Sequence, residues 1–230
     1  MFTRQKIAAL VGEFLGAGTL TLLILSVQRS TIGVPFFVAI AAGLAFATMS
    51  FAIGGISGGH FNPAITLGFW TARRVTTVRA ILYIAVQLLG AWLAYMLYTY
   101  FVNNTLQSIG GHYSGRVLAA EAVGTGIFSF GFAAALYQGF NRVTAASWCG
   151  LALIVGTIAA SSASLGLLNP AVALGTHAWV WGTYVLGPVL GAIVGINLYA
   201  LLFTEGGARE LATAVNSGAS ITKSGKKNKK

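Results

Sequence analysis

One polar tripeptide occurs twice in this sequence, and its residue types suit the start of a helix. Asparagine, proline and alanine follow one another at Asn62, Pro63 and Ala64, and again at Asn169, Pro170 and Ala171. An Asn side chain caps exposed first-turn N–H groups, and Pro fits the first helical position. Where two such N-termini meet, helix dipoles and amide donors face one point. That point can hold a neutral solute's oxygen and opposes the passage of a cation.

Two glutamates, Glu13 and Glu121, lie inside long apolar runs. A carboxylate within a membrane is a functional candidate, and proton relay is one hypothesis. The alternative is structural, because a carboxylate can accept hydrogen bonds from backbone N–H groups of a non-helical loop. The repeat-related positions of the two glutamates favour loop support. With one Cys and no carboxylate cluster, the sequence predicts no metal site.

The composition indicates which elements position these residues. Of 230 residues, 56% are hydrophobic and 8% are charged, against about 25% charged in soluble domains. So much apolar surface excludes a disordered chain, and so few charges cannot cover a soluble globule. We therefore expect an all-α membrane protein.

Apolar runs of membrane-spanning length occur six times. They cover residues 7–27, 35–54, 80–101, 117–137, 143–163 and 180–203. Two further apolar stretches, residues 61–70 and 167–178, are about half as long, so we predict re-entrant half-helices there. The runs are too uniformly apolar for the alternating strands of a membrane barrel.

The basic residues predict the orientation of the chain. With a cytoplasmic N-terminus, only Arg29 and Arg116 of the 14 basic residues lie outside. The positive-inside rule then places both termini in the cytoplasm, in a plasma membrane or a bacterial inner membrane. We expect residues 206–230 to form a disordered basic tail near anionic lipid headgroups. The net charge of +10 thus reflects topology, and no nucleic-acid partner is predicted.

The two halves of the chain resemble each other. Glu13 matches Glu121 at an offset of 108, Asn62 matches Asn169 at 107, and Tyr83 in the third span matches Tyr184 at 101. We predict a single domain over residues 1–205, with one repeat at about 5–102 and the other at about 115–204. Because each half has three spans, the second enters the membrane inverted, which brings the two half-helix N-termini together near the midplane.

The paired motifs, the run from Ile56 to Asn62, and one Glu in the first helix of each half resemble the aquaporin (major intrinsic protein) family over residues 5–205. The resemblance implies an hourglass pore in each protomer of a homotetramer, with water or small uncharged solutes passing down their gradients. It assigns Gln87 to the loop-supporting network of Glu13 and Glu121. It also assigns His60 to the cytoplasmic vestibule, where a pH gate is the less favoured role.

The family's selectivity filter maps onto four positions of this sequence: Ala42, Thr157, Gly166 and Val172. The resemblance implies Arg at the last position, and water-selective members carry an aromatic residue and His at the first two. All four residues here are small and uncharged, so we predict a wide filter. Ala173 and Tyr184, however, differ from the Asp and Pro typical of glycerol facilitators.

The sequence therefore favours a broad passive channel that is not an enzyme and has no cofactor. One alternative is a dedicated glycerol, urea or ammonia facilitator. An ion-coupled secondary transporter is a second alternative, because inverted repeats with midplane half-helices serve transporters as well. A cation-leaking pore is a third, because the filter lacks the usual Arg.

Overall fold

The structure is a computed structural model that describes residues 3–204. Six of its helices are long and apolar enough to cross a membrane, and the described residues contain no β-strand. These spanning helices, numbered one to six in chain order, are Arg4–Gln28, Pro35–Ser57, Thr77–Val102, Gly115–Tyr137, Arg142–Ala160 and Trp181–Leu202. The predicted all-α class and its six spans are confirmed. The predicted tail, residues 206–230, lies outside the described residues.

Local sequence signals explain where the spanning helices begin. The side chains of Thr3, Thr76, Ser114 and Asn141 each accept a hydrogen bond from a backbone N–H of the first turn. Such caps satisfy donors that have no partner within the helix. Helix two instead begins with Pro35, whose missing N–H is harmless in the first turn.

The two half-helices begin at the prolines of the paired motifs, as the capping asparagines predicted. They run over Pro63–Thr71 and Pro170–Gly175, within or beside the apolar stretches 61–70 and 167–178. Phe61 and Leu168 have φ of 49° and 52°, a left-handed conformation that a right-handed helix does not contain. Each half-helix therefore begins only after the capping Asn.

Close glycine contacts pack both halves in the same way. A Cβ atom at Gly90 would lie 2.2 Å from the carbonyl oxygen of Phe14, and one at Gly191 would lie 2.2 Å from that of Ala122. Phe14 and Ala122 are equivalent at the same offset as the two glutamates. Helices one and three therefore approach each other in the first half as helices four and six do in the second. Any side chain at these glycines would separate the helices.

Helices two and five cross at a pair of facing glycines. A Cβ atom at Gly43 would lie 2.6 Å from the carbonyl oxygen of Gly150, and one at Gly150 would lie 2.7 Å from that of Gly43. The two glycines are themselves repeat equivalents, so this contact joins the halves through matching residues. Small residues allow such close backbone approach between membrane helices.

Candidate functional site

The two asparagines join the halves through reciprocal hydrogen bonds. Asn62 Nδ2 donates to the carbonyl oxygen of Leu168 at 2.8 Å, and Asn169 Nδ2 donates to that of Phe61 at 2.9 Å. Each acceptor directly precedes the other motif's Asn. The structure thus brings the starts of both half-helices together in the protein interior, where both asparagines are buried.

Each asparagine also caps its own half-helix. Asn62 Oδ1 accepts from the Ala64 amide at 2.8 Å, and Asn169 Oδ1 accepts from the Ala171 amide at 2.9 Å. Pro63 and Pro170 occupy the first helical position, where no donor is needed. The capping bond fixes each side chain so that its amide group points toward the opposite loop.

Two buried carboxylates hold the loops that precede the half-helices. The Glu13 carboxylate accepts from the amides of His60 at 3.0 Å and Phe61 at 2.6 Å. The Glu121 carboxylate accepts from the amides of Leu167 at 3.1 Å and Leu168 at 2.7 Å. Loop N–H groups inside a membrane need such partners because no bulk water is present. The bonds also support the left-handed turn before each Asn.

A wider polar network surrounds the first loop. Gln87 Nε2 donates to Glu13 at 2.7 Å and to Thr66 Oγ1 at 3.0 Å. His60 Nδ1 lies 3.1 Å from the same Thr66 hydroxyl. Tyr83 Oη donates to the carbonyl oxygen of Ser57 at 2.6 Å. The structure therefore connects Glu13, Gln87 and His60 in one network.

Comparisons with known proteins agree with this geometry. The sequence model of the family described as "Major intrinsic protein" matches residues 2–199. The chain belongs to the major intrinsic protein family. It is similar to "Aquaporin Z" of Photorhabdus laumondii, with 33% identity over 88% of this chain and 98% of the relative. "Glycerol uptake facilitator protein-like 6" of Lactiplantibacillus plantarum is 32% identical over 83% of this chain and 94% of the relative.

A solved structure shows the same fold. The X-ray structure of the aquaglyceroporin from Plasmodium falciparum superposes with a TM-score of 0.73, at 19% identity, over 86% of this chain and 96% of that one. The family and the six apolar helices make this major intrinsic protein an integral multi-pass membrane protein. They confirm the predicted resemblance, and with it a channel protein rather than an enzyme.

The four predicted filter residues of this major intrinsic protein are all buried. Thr157 and Gly166 are neighbours, because a Cβ atom at Gly166 would lie 2.8 Å from the Thr157 carbonyl oxygen. Ala42 instead lines a small central space that it shares with both motif asparagines. Val172 has 0% exposure and packs within the apolar core. The structure thus joins two of the four directly, and the width of the filter stays a prediction.

A cavity, called the vestibule below, lies beside the loop that precedes the first motif of this major intrinsic protein. It has a volume of about 410 Å³, and its lining includes Gly58, Gly59, Phe132, Arg142 and Cys149. His60 directly follows these glycines but is itself only 6% exposed, with its ring stacked on Phe69 at a centroid distance of 5.2 Å. His60 therefore lies behind the vestibule wall.

Three phenylalanines near the asparagines were missed in the sequence. Phe46 and Phe128 line the small central space, and Phe132 lines the vestibule. One available signal was spacing: Phe46 follows the predicted filter residue Ala42 by four residues, so both lie on one face of helix two. The same spacing relates Phe128 and Phe132 on helix four.

Proposed function

We propose that this chain is a passive channel for water and small uncharged solutes. The reciprocal bonding of Asn62 and Asn169 is the observation that carries the proposal. It sets two half-helix N-termini and two amide groups against each other inside the membrane. The printed names of the relatives, aquaporins and a glycerol uptake facilitator, support the same solute class.

The asparagine pair suits neutral oxygen-bearing solutes. Each Asn NH₂ group has two N–H bonds, and one of them is used on the opposite loop's carbonyl oxygen. The other is free to donate to a permeating oxygen. Because amide donors and positive helix ends repel cations, we expect low ionic conductance although the predicted filter has no charge.

We also propose that the filter formed by Ala42, Thr157, Gly166 and Val172 is wide. None of these side chains is charged, and the largest is Val. Within residues 3–204, the buried Thr157 hydroxyl has no hydrogen-bond partner. A passing solute can therefore use that hydroxyl as donor or acceptor.

Solute flux into proteoliposomes tests the channel proposal. Purified protein in liposomes should speed osmotic swelling over empty liposomes in a stopped-flow panel of water, glycerol, urea and ammonia. The rate should not change when a Na⁺ or proton gradient is imposed, because nothing is coupled to the flux. Uptake that requires either gradient would favour the secondary transporter, and large cation currents in planar bilayers would favour the leaking pore.

Val172→Arg tests the filter assignment. An Arg introduces length, a fixed positive charge and five N–H donors, so glycerol and urea flux should fall by a larger factor than water flux. Ile65 is the repeat equivalent of Val172 and is equally buried, so Ile65→Arg controls for burying a guanidinium beside a motif. A folded Val172→Arg protein with an unchanged or higher glycerol-to-water ratio would reject the assignment.

The assembly and orientation belong to the same proposal. Large apolar side chains such as Trp92, Leu151 and Val194 are exposed along the spanning helices, which suits contact with lipid and with other copies of the chain. We propose a homotetramer with both termini in the cytoplasm. Native mass measurement in detergent tests the first statement, and protease protection of terminal tags in sealed vesicles tests the second.

A further inference from the structure

Three phenylalanine rings lie between the vestibule and the asparagine pair. The ring centroid of Phe46 is 5.2 Å from that of Phe128 and 6.0 Å from that of Phe132, and the last two are 6.1 Å apart. All three pairs meet edge to face, a favourable aromatic arrangement. The three residues, from helices two and four, are called the phenylalanine collar below.

The collar separates two spaces along one route. Phe132 lines the vestibule of about 410 Å³. Phe46 and Phe128 line the central space beside Asn62 and Asn169. That central space, which Ala42 also lines, has no room for a water molecule. A direct path from the vestibule to the asparagines runs past the collar, and it is closed where the rings of Phe46 and Phe128 line the central space.

Two further aromatic rings pack against the collar. Phe46 contacts the ring of Phe61 at 5.5 Å, and Phe132 contacts that of Phe69 at 5.2 Å. Phe46 and Phe128 are 1% and 0% exposed, whereas Phe132 is 8% exposed on its vestibule side. Widening the passage by moving Phe46 or Phe128 would disturb this packing, so Phe132 is the ring with the most freedom.

Building on the proposed channel function, we propose that the phenylalanine collar, rather than the filter, is the constriction that determines which solutes pass. Ala42 is the one filter residue that lines the closed central space, and its side chain is a single methyl group, so the rings of Phe46 and Phe128 are the largest side chains there. Phenyl rings offer no replacement for the hydrogen bonds of a hydrated solute, so an apolar constriction opposes passage by dewetting. The collar therefore favours small, weakly hydrated neutral solutes such as ammonia over glycerol and urea, and it restricts water.

Truncation of the collar in proteoliposomes tests this inference. Phe132→Ala and Phe46→Ala should each raise glycerol and water permeability by about tenfold, equivalent to lowering the barrier by ~1.4 kcal/mol. Ammonia permeability should rise by a smaller factor. Phe130→Ala is the matched control, because Phe130 lies on the same helix but packs against Tyr199 and Phe203. Its permeabilities should equal those of the unmodified protein.

A substitution that enlarges a collar ring, instead of shrinking it, keeps the test available if the alanine variants do not fold. Phe132→Trp enlarges the one collar ring that borders an open cavity, so it should fold and reduce glycerol flux. All rates are normalised to protein inserted in the liposomes. If the unmodified protein conducts and none of the collar variants changes its glycerol-to-ammonia ratio, the collar assignment is wrong and the channel proposal stands.

Absence of flux is also informative. If the unmodified protein is inactive but Phe132→Ala conducts, both the collar and the channel are supported. If neither the unmodified protein nor any correctly inserted collar variant conducts a solute in the panel, the channel proposal fails and the collar fails with it.

Discussion

The two halves of this protein hold their re-entrant loops with polar partners from different places. In the first half, Glu13 accepts three hydrogen bonds, from the amides of His60 and Phe61 and from the side chain of Gln87 on helix three. In the second half, Glu121 accepts from the amides of Leu167 and Leu168, and its further partners, Ser164 and Gly166, belong to the same loop. The backbone turns before the two asparagines are nevertheless nearly the same, with φ of 49° and 52°.

The repeat equivalents explain the difference. The positions of His60, Thr66 and Gln87 are taken in the second half by Leu167, Ala173 and Pro188. Leu167 and Ala173 belong to the apolar core. The second loop has polar contacts of its own, such as the bond from the Gly166 amide to Ser164 Oγ at 2.9 Å, but no side chain in the place of Gln87. The comparison teaches that the same turn forms whether or not a side chain from the third helix of the repeat bonds to the carboxylate.

The largest effect on stability is expected from removing the carboxylates. Glu13→Ala leaves two backbone donors and the Gln87 amide without their acceptor, and each unpaired buried donor costs about 1–3 kcal/mol. Glu121→Ala leaves the amides of Leu167 and Leu168 without theirs. Thermal unfolding of the detergent-solubilised proteins should therefore place both variants below the unmodified protein.

Flux measurements separate loop support from proton relay at these glutamates. Correctly inserted mutant protein should lose flux only as far as it loses folded channel. A Glu13→Ala or Glu121→Ala protein with normal thermal stability and no flux would overturn the supporting role and favour proton relay.

The next largest loss of stability is expected at the two motif asparagines, whose hydrogen bonds are related by the internal repeat. Asn62→Ala and Asn169→Ala each remove a helix cap and a donor to the opposite loop. Loss of an Asn cap alone costs about 0.5–2 kcal/mol. The bonds of the two residues mirror each other apart from one long bond, from the Val172 amide to Asn169 Oδ1 at 3.4 Å, so the variants should be destabilised by similar amounts in thermal unfolding. A large loss in one variant and none in the other would mean that the reciprocal bonds are not equivalent in energy.

These comparisons also show what the sequence could predict. Periodicity and length placed all six spanning helices within one turn of their observed ends, because a long apolar run has few alternatives in a membrane. The capping role of the asparagines, and with it the helix starts at Pro63 and Pro170, followed from residue type alone. The left-handed turns at Phe61 and Leu168 did not, because they accompany bonds to Glu13 and Glu121, which lie on distant helices.

Spacing places Phe128 and Phe132 of the phenylalanine collar on one face of their helix, but it does not show what that face contacts. Phe128, Phe130 and Phe132 lie close together on one apolar helix, and hydropathy treats them alike. Only packing against the other helices shows that Phe130 lies against Tyr199 while the other two meet Phe46. Whether an apolar side chain faces lipid, core or solute path is a property of the tertiary structure.

A smaller effect is expected when the first half is made to resemble the second. Gln87→Leu leaves Glu13 with donors from its own loop alone, as Glu121 has, and removes one partner of Thr66. The loss should be about 0.5–1.5 kcal/mol, the usual net contribution of a hydrogen bond. Thr66→Ala added to Gln87→Leu should cost less than the two single changes combined, because the residues share one network. Strict additivity in thermal unfolding would show that the network is not coupled.

The smallest effects on stability are expected at the equivalent tyrosines, whose hydrogen bond is shorter in the first half than in the second. Tyr83 Oη donates to the carbonyl oxygen of Ser57 at 2.6 Å, whereas Tyr184 Oη accepts from the Leu165 amide at 3.4 Å. Tyr83→Phe should destabilise by less than about 1 kcal/mol, because Arg79 Nη2 also donates to the Ser57 oxygen at 2.6 Å and keeps it paired. Tyr184→Phe should change thermal stability still less, because its bond is long and the Leu165 amide is only half-buried. A Tyr184→Phe loss larger than that of Tyr83→Phe would mean that the second loop depends on polar contacts more than its geometry indicates.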